Sequence, residues 1–261
     1  MSRLRWWIAG SVVIVVILAV AGAVIYRDVR PHHAPTVSTV TPSLDRAIAG
    51  VVAAAGDTAA ATVTELVPTT SCDGGSIYTV TANLYTNAGG EGAVIDRIAA
   101  AVPASQQPRR SAALNGGASA LHADLGAGAT LQVIQLDAGW ISATATSGCR
   151  SAPSAPPSVP APAAAATALT RSLSALGTAP TTFHTDEVAC ANGAIVTVST
   201  ASGPLDLTGI HAKLATLPPA GVTVFASTAD RIAWRSGDVS TVIGAADAGT
   251  HVDAQQTTGC V

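Results

Sequence analysis

The chain has 261 residues, of which 48% are hydrophobic, 3% aromatic and 11% charged, and its formal net charge at pH 7 is −3. This slightly acidic balance argues against a nucleic-acid-binding surface, which needs clusters of lysine and arginine. At roughly 100 to 200 residues per domain, the length allows a short anchor and one large or two small domains.

The first feature along the chain is an uncharged apolar segment, Trp6–Tyr26, with aromatic residues at both ends. Its length matches the roughly 20 residues that a helix needs to cross a bilayer, and aromatic rings favour the headgroup layer. It predicts a cytoplasmic stub and a transmembrane anchor over residues 1–27. A cleaved signal peptide is the alternative, because the Ala-Val-Ala beginning at Ala19 resembles a cleavage site.

The first repeat is predicted over residues 43–150, after a proline-containing juxtamembrane spacer at residues 28–42. A helix capped by Ser43 and ended by Gly56 comes first, since apolar residues recur at helical spacing between them. One strand is predicted before Cys72 and a second after it, with turn residues between them that indicate a hairpin.

The remainder of the first repeat is predicted to be a second helix that ends at Pro103 and a final hairpin. The strands of that hairpin are Thr130–Leu136 and Trp140–Thr146, both rich in alternating apolar residues. The Asp-Ala-Gly between them predicts a three-residue loop with Gly139 in the left-handed conformation.

The second part of the chain repeats the pattern of the first. Three pairs of segments align: Cys72–Thr81 with Cys190–Ser199, Asp137–Gly139 with Asp247–Gly249, and Thr146–Cys149 with Thr257–Cys260. Chance similarity between Ala/Gly/Thr-rich segments is the alternative, but the cysteines fall at equivalent places. A proline- and alanine-rich linker, residues 151–163, separates the first repeat from the second, residues 164–261.

These elements together predict an α+β fold. An N-terminal transmembrane helix is followed by two tandem α-β-β-α-β-β repeats, each a helix-backed antiparallel sheet with one disulfide. The second repeat is predicted to use Ser240–Ala245 and His251–Gln256 as its final strands, joined by its own Asp-Ala-Gly loop.

Four cysteines allow three pairings, and the duplication selects Cys72 with Cys149 and Cys190 with Cys260. Disulfides persist in oxidising compartments, so the pairing predicts a single-pass protein of the plasma membrane whose C-terminal bulk is extracytoplasmic. No C-x-x-C is present in the sequence, which argues against a redox pair or a zinc knuckle.

No motif in the sequence indicates catalysis. Signatures of hydrolases, zinc proteases and nucleotide-binding loops are missing, and the glycine-rich stretches Gly89–Gly92 and Gly126–Gly128 do not complete a dinucleotide-binding motif. We therefore predict no catalytic, cofactor-binding or metal-binding residue, and assign both stretches to loops. Whether the protein is an enzyme is left open by the sequence, and a non-enzymatic role is favoured.

Three other features each have an ordinary and a functional interpretation. His184, with Asp186 and Glu187, is interpreted as an acidic strand edge, the alternative being an acid/base or metal site. Trp140 and Trp234 are interpreted as core residues, with Trp234 the better candidate for recognition. The histidine pair at residues 32–33 is interpreted as solvated, with weak metal binding as the alternative.

The start of the chain (MSRLRWW), the linker SAPSAPPSVPAPAAAA and the paired cysteines resemble uncharacterised single-pass envelope proteins of mycobacteria and related actinobacteria. This resemblance implies an exported membrane protein of unknown activity. We expect a binding or scaffolding module in the cell envelope, with the membrane as one partner and an envelope protein or wall polymer as another. An enzyme of unrecognised type and a regulatory partner of another membrane protein are the alternatives.

Overall fold

Two six-stranded antiparallel sheets, each accompanied by two helices, make up the described part of the protein. The structure is a computed structural model that describes residues 35–111, 120–152, 160–206, 208–228, 230–245 and 250–260. The first half contains helices α1 (Thr41–Ala55) and α2 (Glu91–Ala101) and strands β1 (Ala60–Cys72), β2 (Gly75–Tyr85), β3 (Arg109–Ser111), β4 (Ala120–Gly126), β5 (Ala129–Asp137) and β6 (Trp140–Arg150).

The second half has the same order of elements. It contains helices α3 (Ala163–Ala175) and α4 (Ile210–Ala215) and strands β7 (Pro180–Cys190), β8 (Gly193–Ser202), β9 (Thr223–Ser227), β10 (Arg231–Ser236), β11 (Val239–Ala245) and β12 (Val252–Thr258). The strand orders are β1-β2-β6-β5-β4-β3 and β7-β8-β12-β11-β10-β9, so corresponding strands occupy corresponding places. The register agrees as well, because Thr79 pairs with Thr146 in the first sheet and Thr197 with Thr257 in the second.

The predicted α-β-β-α-β-β order is wrong, because each half has two further strands between its second helix and its final hairpin. In the first half these are β3 and β4, and in the second they are β9 and β10. Strand β3 has only three residues, all exposed, which is too short to show an alternating pattern. Each sheet therefore has six strands, and strands dominate the architecture.

The predicted transmembrane helix, Trp6–Tyr26, lies outside the described residues. Within the ranges that the structure does describe, no helix is both long enough and apolar enough to cross a bilayer.

Helix α1 buries an apolar stripe that includes Leu44, Ile48 and Val51. Its start differs from the prediction: the helix begins at Thr41 rather than after a Ser43 cap. Pro42 fits the first turn, because an N–H group at that position would have no intrahelical acceptor and its absence costs nothing. Its end agrees with the prediction, since Gly56 follows with φ +57°, a value that glycine adopts without strain.

The first sheet buries one face against helices α1 and α2. Strand β2 places Tyr78, Val80, Ala82 and Leu84 on that face, and each is at most 5% exposed. The intervening residues of the strand are polar or partly exposed, which is the alternation expected of a sheet with one covered face.

The two disulfides agree with the prediction from the duplication. Cys72 is bonded to Cys149 and Cys190 to Cys260, with Cα–Cα distances of 6.0 and 6.2 Å. Each bridge ties the first hairpin of its half to the end of the last strand. The loop between β5 and β6 also has Gly139 in the left-handed region, at φ +73°. The matching Asp247–Gly249 lies outside the described residues.

Candidate functional site

The outer face of the second sheet, opposite helices α3 and α4, is covered by strand β1 of the first half. The backbone N–H of Ala61 donates to Ser240 Oγ, and that of Val63 donates to Thr197 Oγ1, both at 3.0 Å. Strand β1 is the edge of the first sheet, where unpaired N–H groups would otherwise remain. Hydroxyls on the second sheet therefore take the place of a neighbouring strand.

Three potential metal ligands meet beside this contact. His184 Nε2 lies 3.1 Å from Asp186 Oδ1 on the same strand and 3.7 Å from Glu65 Oε1 on β1. One ligand atom from each residue lies within 4.8 Å of the other two. The group comprises an exposed imidazole, a half-buried glutamate and a buried aspartate, and we call it the inter-half cluster.

Sequence reasoning identified only part of the inter-half cluster. It grouped His184 with Asp186 at a strand edge, and the structure brings these two side chains together. Glu187 points to the other face of β7 and takes no part. Glu65 was missed, because its position depends on how β1 crosses the second sheet, and no local pattern reports that.

A separate cavity of about 260 Å³ lies between helices α1 and α2 and the sheet beneath them. We call it the α1–α2 pocket. Its walls are mainly apolar, and its polar groups come from three side chains, those of Ser43, Arg46 and Gln106. The apolar lining consists of Ala47, Gly50, Val51, Ile98, Ala101, Val102, Pro103, Leu125 and Leu131.

A more open groove lies on the opposite side of helix α1, next to the Cys190–Cys260 disulfide. Asp45 lines this groove, and burial raises the pKa of its carboxyl to about 6, while a hydrogen bond with the backbone of Ala189 acts in the opposite direction. Arg46 and Gly50 line both this groove and the α1–α2 pocket, so two positions of helix α1 lie between the two concave surfaces.

The two tryptophans within the described residues have different roles. Trp234 is 5% exposed in the core beneath α3 and α4, so it is not a recognition residue. Trp140 is half-buried and stacks on Tyr85, with ring centroids 6.1 Å apart. The guanidinium of Arg231, from the second half, lies 4.7 Å from the centroid of Trp140 and contributes a cation–π contact between the halves.

Within the ranges that the structure describes, the remaining candidates form no further group of potential metal ligands. His211, an exposed histidine of helix α4, places Nδ1 3.0 Å from the carbonyl oxygen of Thr228 and is not a member of the inter-half cluster. Gly126–Gly128 spans the turn between β4 and β5, as predicted, whereas Gly92 lies inside helix α2 rather than in a loop. The histidine pair at residues 32–33 lies outside the described residues.

Comparison with known proteins yields little. No family model matches the chain, and no curated protein matches it either. Two solved structures show weak similarity. A crystal structure of MucB in complex with MucA(peri) is 10% identical over 82% of this chain and 92% of that chain, with a TM-score of 0.15. The complex structure of Pseudomonas aeruginosa MucA/MucB is 11% identical over 80% and 93%, also with a TM-score of 0.15. Scores this low carry no argument about fold or function.

Proposed function

We propose that the protein is a non-catalytic binding module of the cell envelope that takes an amphipathic anion into the α1–α2 pocket. The observation that carries the proposal is the composition of the pocket: apolar walls, with Arg46 as the one charged side chain among its described lining residues. Ligand sites are commonly apolar clefts with a few polar groups that fix the orientation of the ligand.

The size of the pocket limits its ligand. At about 260 Å³ it lies just below the range of roughly 300 to 1,000 Å³ that is typical of drug-sized ligands. It therefore suits a short acyl chain or a single apolar side chain. A carboxylate at the end of such a group can pair with Arg46, which is exposed at the rim.

An extracytoplasmic location is part of the proposal. Its support is the pair of disulfides, since bonds of this kind persist in oxidising compartments. The test is protease treatment of intact cells of the native host. Digestion of the bulk of the chain without lysis is the expected result, and full protection until lysis would contradict the location.

Gly50 offers a direct test of the pocket. A side chain added there meets open space, and leucine has a better helix propensity than glycine, so Gly50→Leu adds bulk at the pocket without disturbing the fold. Gly92→Leu is the matched control, because Gly92 also lies in a helix, has open space around it and does not line the pocket.

Binding of decanoate and of decanol, measured by isothermal titration calorimetry, separates the apolar and anionic contributions. We expect Gly50→Leu to lower the affinity for both ligands at least about 10-fold, and Gly92→Leu to leave both affinities unchanged. Arg46→Gln should weaken the binding of decanoate but not that of decanol. The expected loss is about 2- to 5-fold in affinity, which is the size of the contribution of an exposed ion pair. Unaltered binding by Gly50→Leu, or no saturable binding by the parent protein, would overturn the proposal.

A further inference from the structure

Two of the ligand-atom distances in the inter-half cluster are close to those of a tetrahedral metal site, and all three ligand atoms lie within 4.8 Å of one another. Bonds of about 2.0 to 2.1 Å from zinc to nitrogen and oxygen separate neighbouring ligand atoms by about 3.3 to 3.5 Å. The observed distances from His184 Nε2, 3.1 Å to Asp186 and 3.7 Å to Glu65, lie on either side of that value. Small side-chain adjustments therefore suffice to bring the three atoms around one ion.

Charge also favours a cation at the inter-half cluster. Two carboxylates face the same imidazole nitrogen, and among the described residues no lysine or arginine forms an ion pair with Glu65 or Asp186. A divalent ion bound between the three ligand atoms would balance both carboxylates.

Asp186 gives a second, independent indication. It is only 7% exposed, and a buried carboxylate is costly unless it is paired, hydrogen-bonded or bound to a metal. Within the described residues its one partner is His184, a member of the cluster. The hydroxyl of Thr197, on the adjacent strand, is already engaged by the Val63 N–H and by Thr257.

From these observations we propose that Glu65, His184 and Asp186 bind a divalent transition-metal ion, Zn²⁺ being the best match. One imidazole with two carboxylates suits zinc, whereas calcium and magnesium prefer six or more oxygen ligands. Exposed His184 leaves the fourth position open to water. Because Glu65 belongs to the first half and the other two ligands to the second, the ion ties the halves together.

The test uses the untagged full-length chain with its disulfides intact, at pH 7.5. His32→Ala and His33→Ala are introduced first, to remove the histidine pair near the N-terminus as a competing site. We expect calorimetric titration with zinc chloride to show one ion per chain. Zinc at 100 times the dissociation constant should raise Tm by about 5 to 10 °C.

Glu65→Gln and His184→Ala, each made in this background, should weaken zinc binding at least about 10-fold and abolish the rise in Tm. His251→Ala is the matched control, because His251 faces a single carboxylate, that of Asp253, at 3.9 Å, and should bind zinc like the background. Glu65→Gln keeps the shape of the side chain and should leave the fold intact, so weaker zinc binding by this variant reports the loss of the carboxylate ligand. No saturable binding, or unweakened binding by Glu65→Gln, would overturn the proposal.

Discussion

The two halves share a strand order but differ in what covers their sheets. In the first half, helices cover one face, while the other carries polar side chains that are partly or fully exposed, among them Thr79, Gln132 and Thr144. In the second half both faces are covered, one by helices α3 and α4 and the other by strand β1 of the first half.

A matched pair of residues shows what this difference means. Thr79 is half-buried and bonds to the exposed Thr69, at 3.1 Å. Its counterpart Thr197 is 1% exposed, accepts the Val63 N–H and lies 2.7 Å from the hydroxyl of Thr257. Similar sequences thus acquire different roles, because the environment of each residue depends on how the halves pack.

The largest expected effect is one that the two halves should share. The disulfides join residues 77 and 70 positions apart, so their entropic contributions to the free energy of unfolding should be nearly equal, at about 4.5 kcal/mol each. We expect the pairs Cys72→Ser/Cys149→Ser and Cys190→Ser/Cys260→Ser to be destabilised by similar amounts in chemical denaturation. A difference of several kcal/mol would show that the halves do not depend on their bridges in the same way.

The contact between the halves should respond to one hydroxyl. Thr197→Val leaves the Val63 N–H without its acceptor, and a buried donor without a partner costs about 1 to 3 kcal/mol. Thr79→Val, its counterpart on the open face, should cost less than about 0.5 kcal/mol. Urea denaturation measures both. Equal losses would contradict the asymmetry between the two faces.

Asp45 should give the smallest effect. Because its pKa in the folded protein is raised to about 6, the folded state binds this proton more tightly than the unfolded state. Protonation of Asp45 therefore stabilises the folded state below about pH 4, and this stabilisation is lost as the pH rises to about 6.

Asp45→Asn should abolish this loss, so the variant should be more stable than the parent at pH 7.5 and nearly equal to it at pH 4. We expect the gain in the free energy of unfolding at pH 7.5 to be less than about 1 kcal/mol, because the carboxyl keeps partial contact with solvent. Thermal unfolding of both proteins at the two pH values is the measurement. A variant that is less stable at pH 7.5 would argue against the burial of Asp45.

The sequence predicted features that depend on local chemistry. The hairpin after Cys72, the left-handed Gly139 and the cysteine pairing were all accessible, because turn residues and a duplicated pattern report them directly. Strand β3 was missed because three exposed residues carry no periodicity. Glu65 was missed because the contact between the edge strand β1 and the second sheet is long-range, and no local sequence pattern predicts it.

The docking of strand β1 on the second sheet is the central claim, since it creates the inter-half cluster. Amide hydrogen exchange at Val63, followed by NMR, tests it most directly. We predict that this amide exchanges roughly 1,000-fold or more slowly than a freely exposed one, and that Thr197→Val accelerates it. Exchange of Val63 in the parent protein at the rate of an exposed edge-strand amide would contradict the docking.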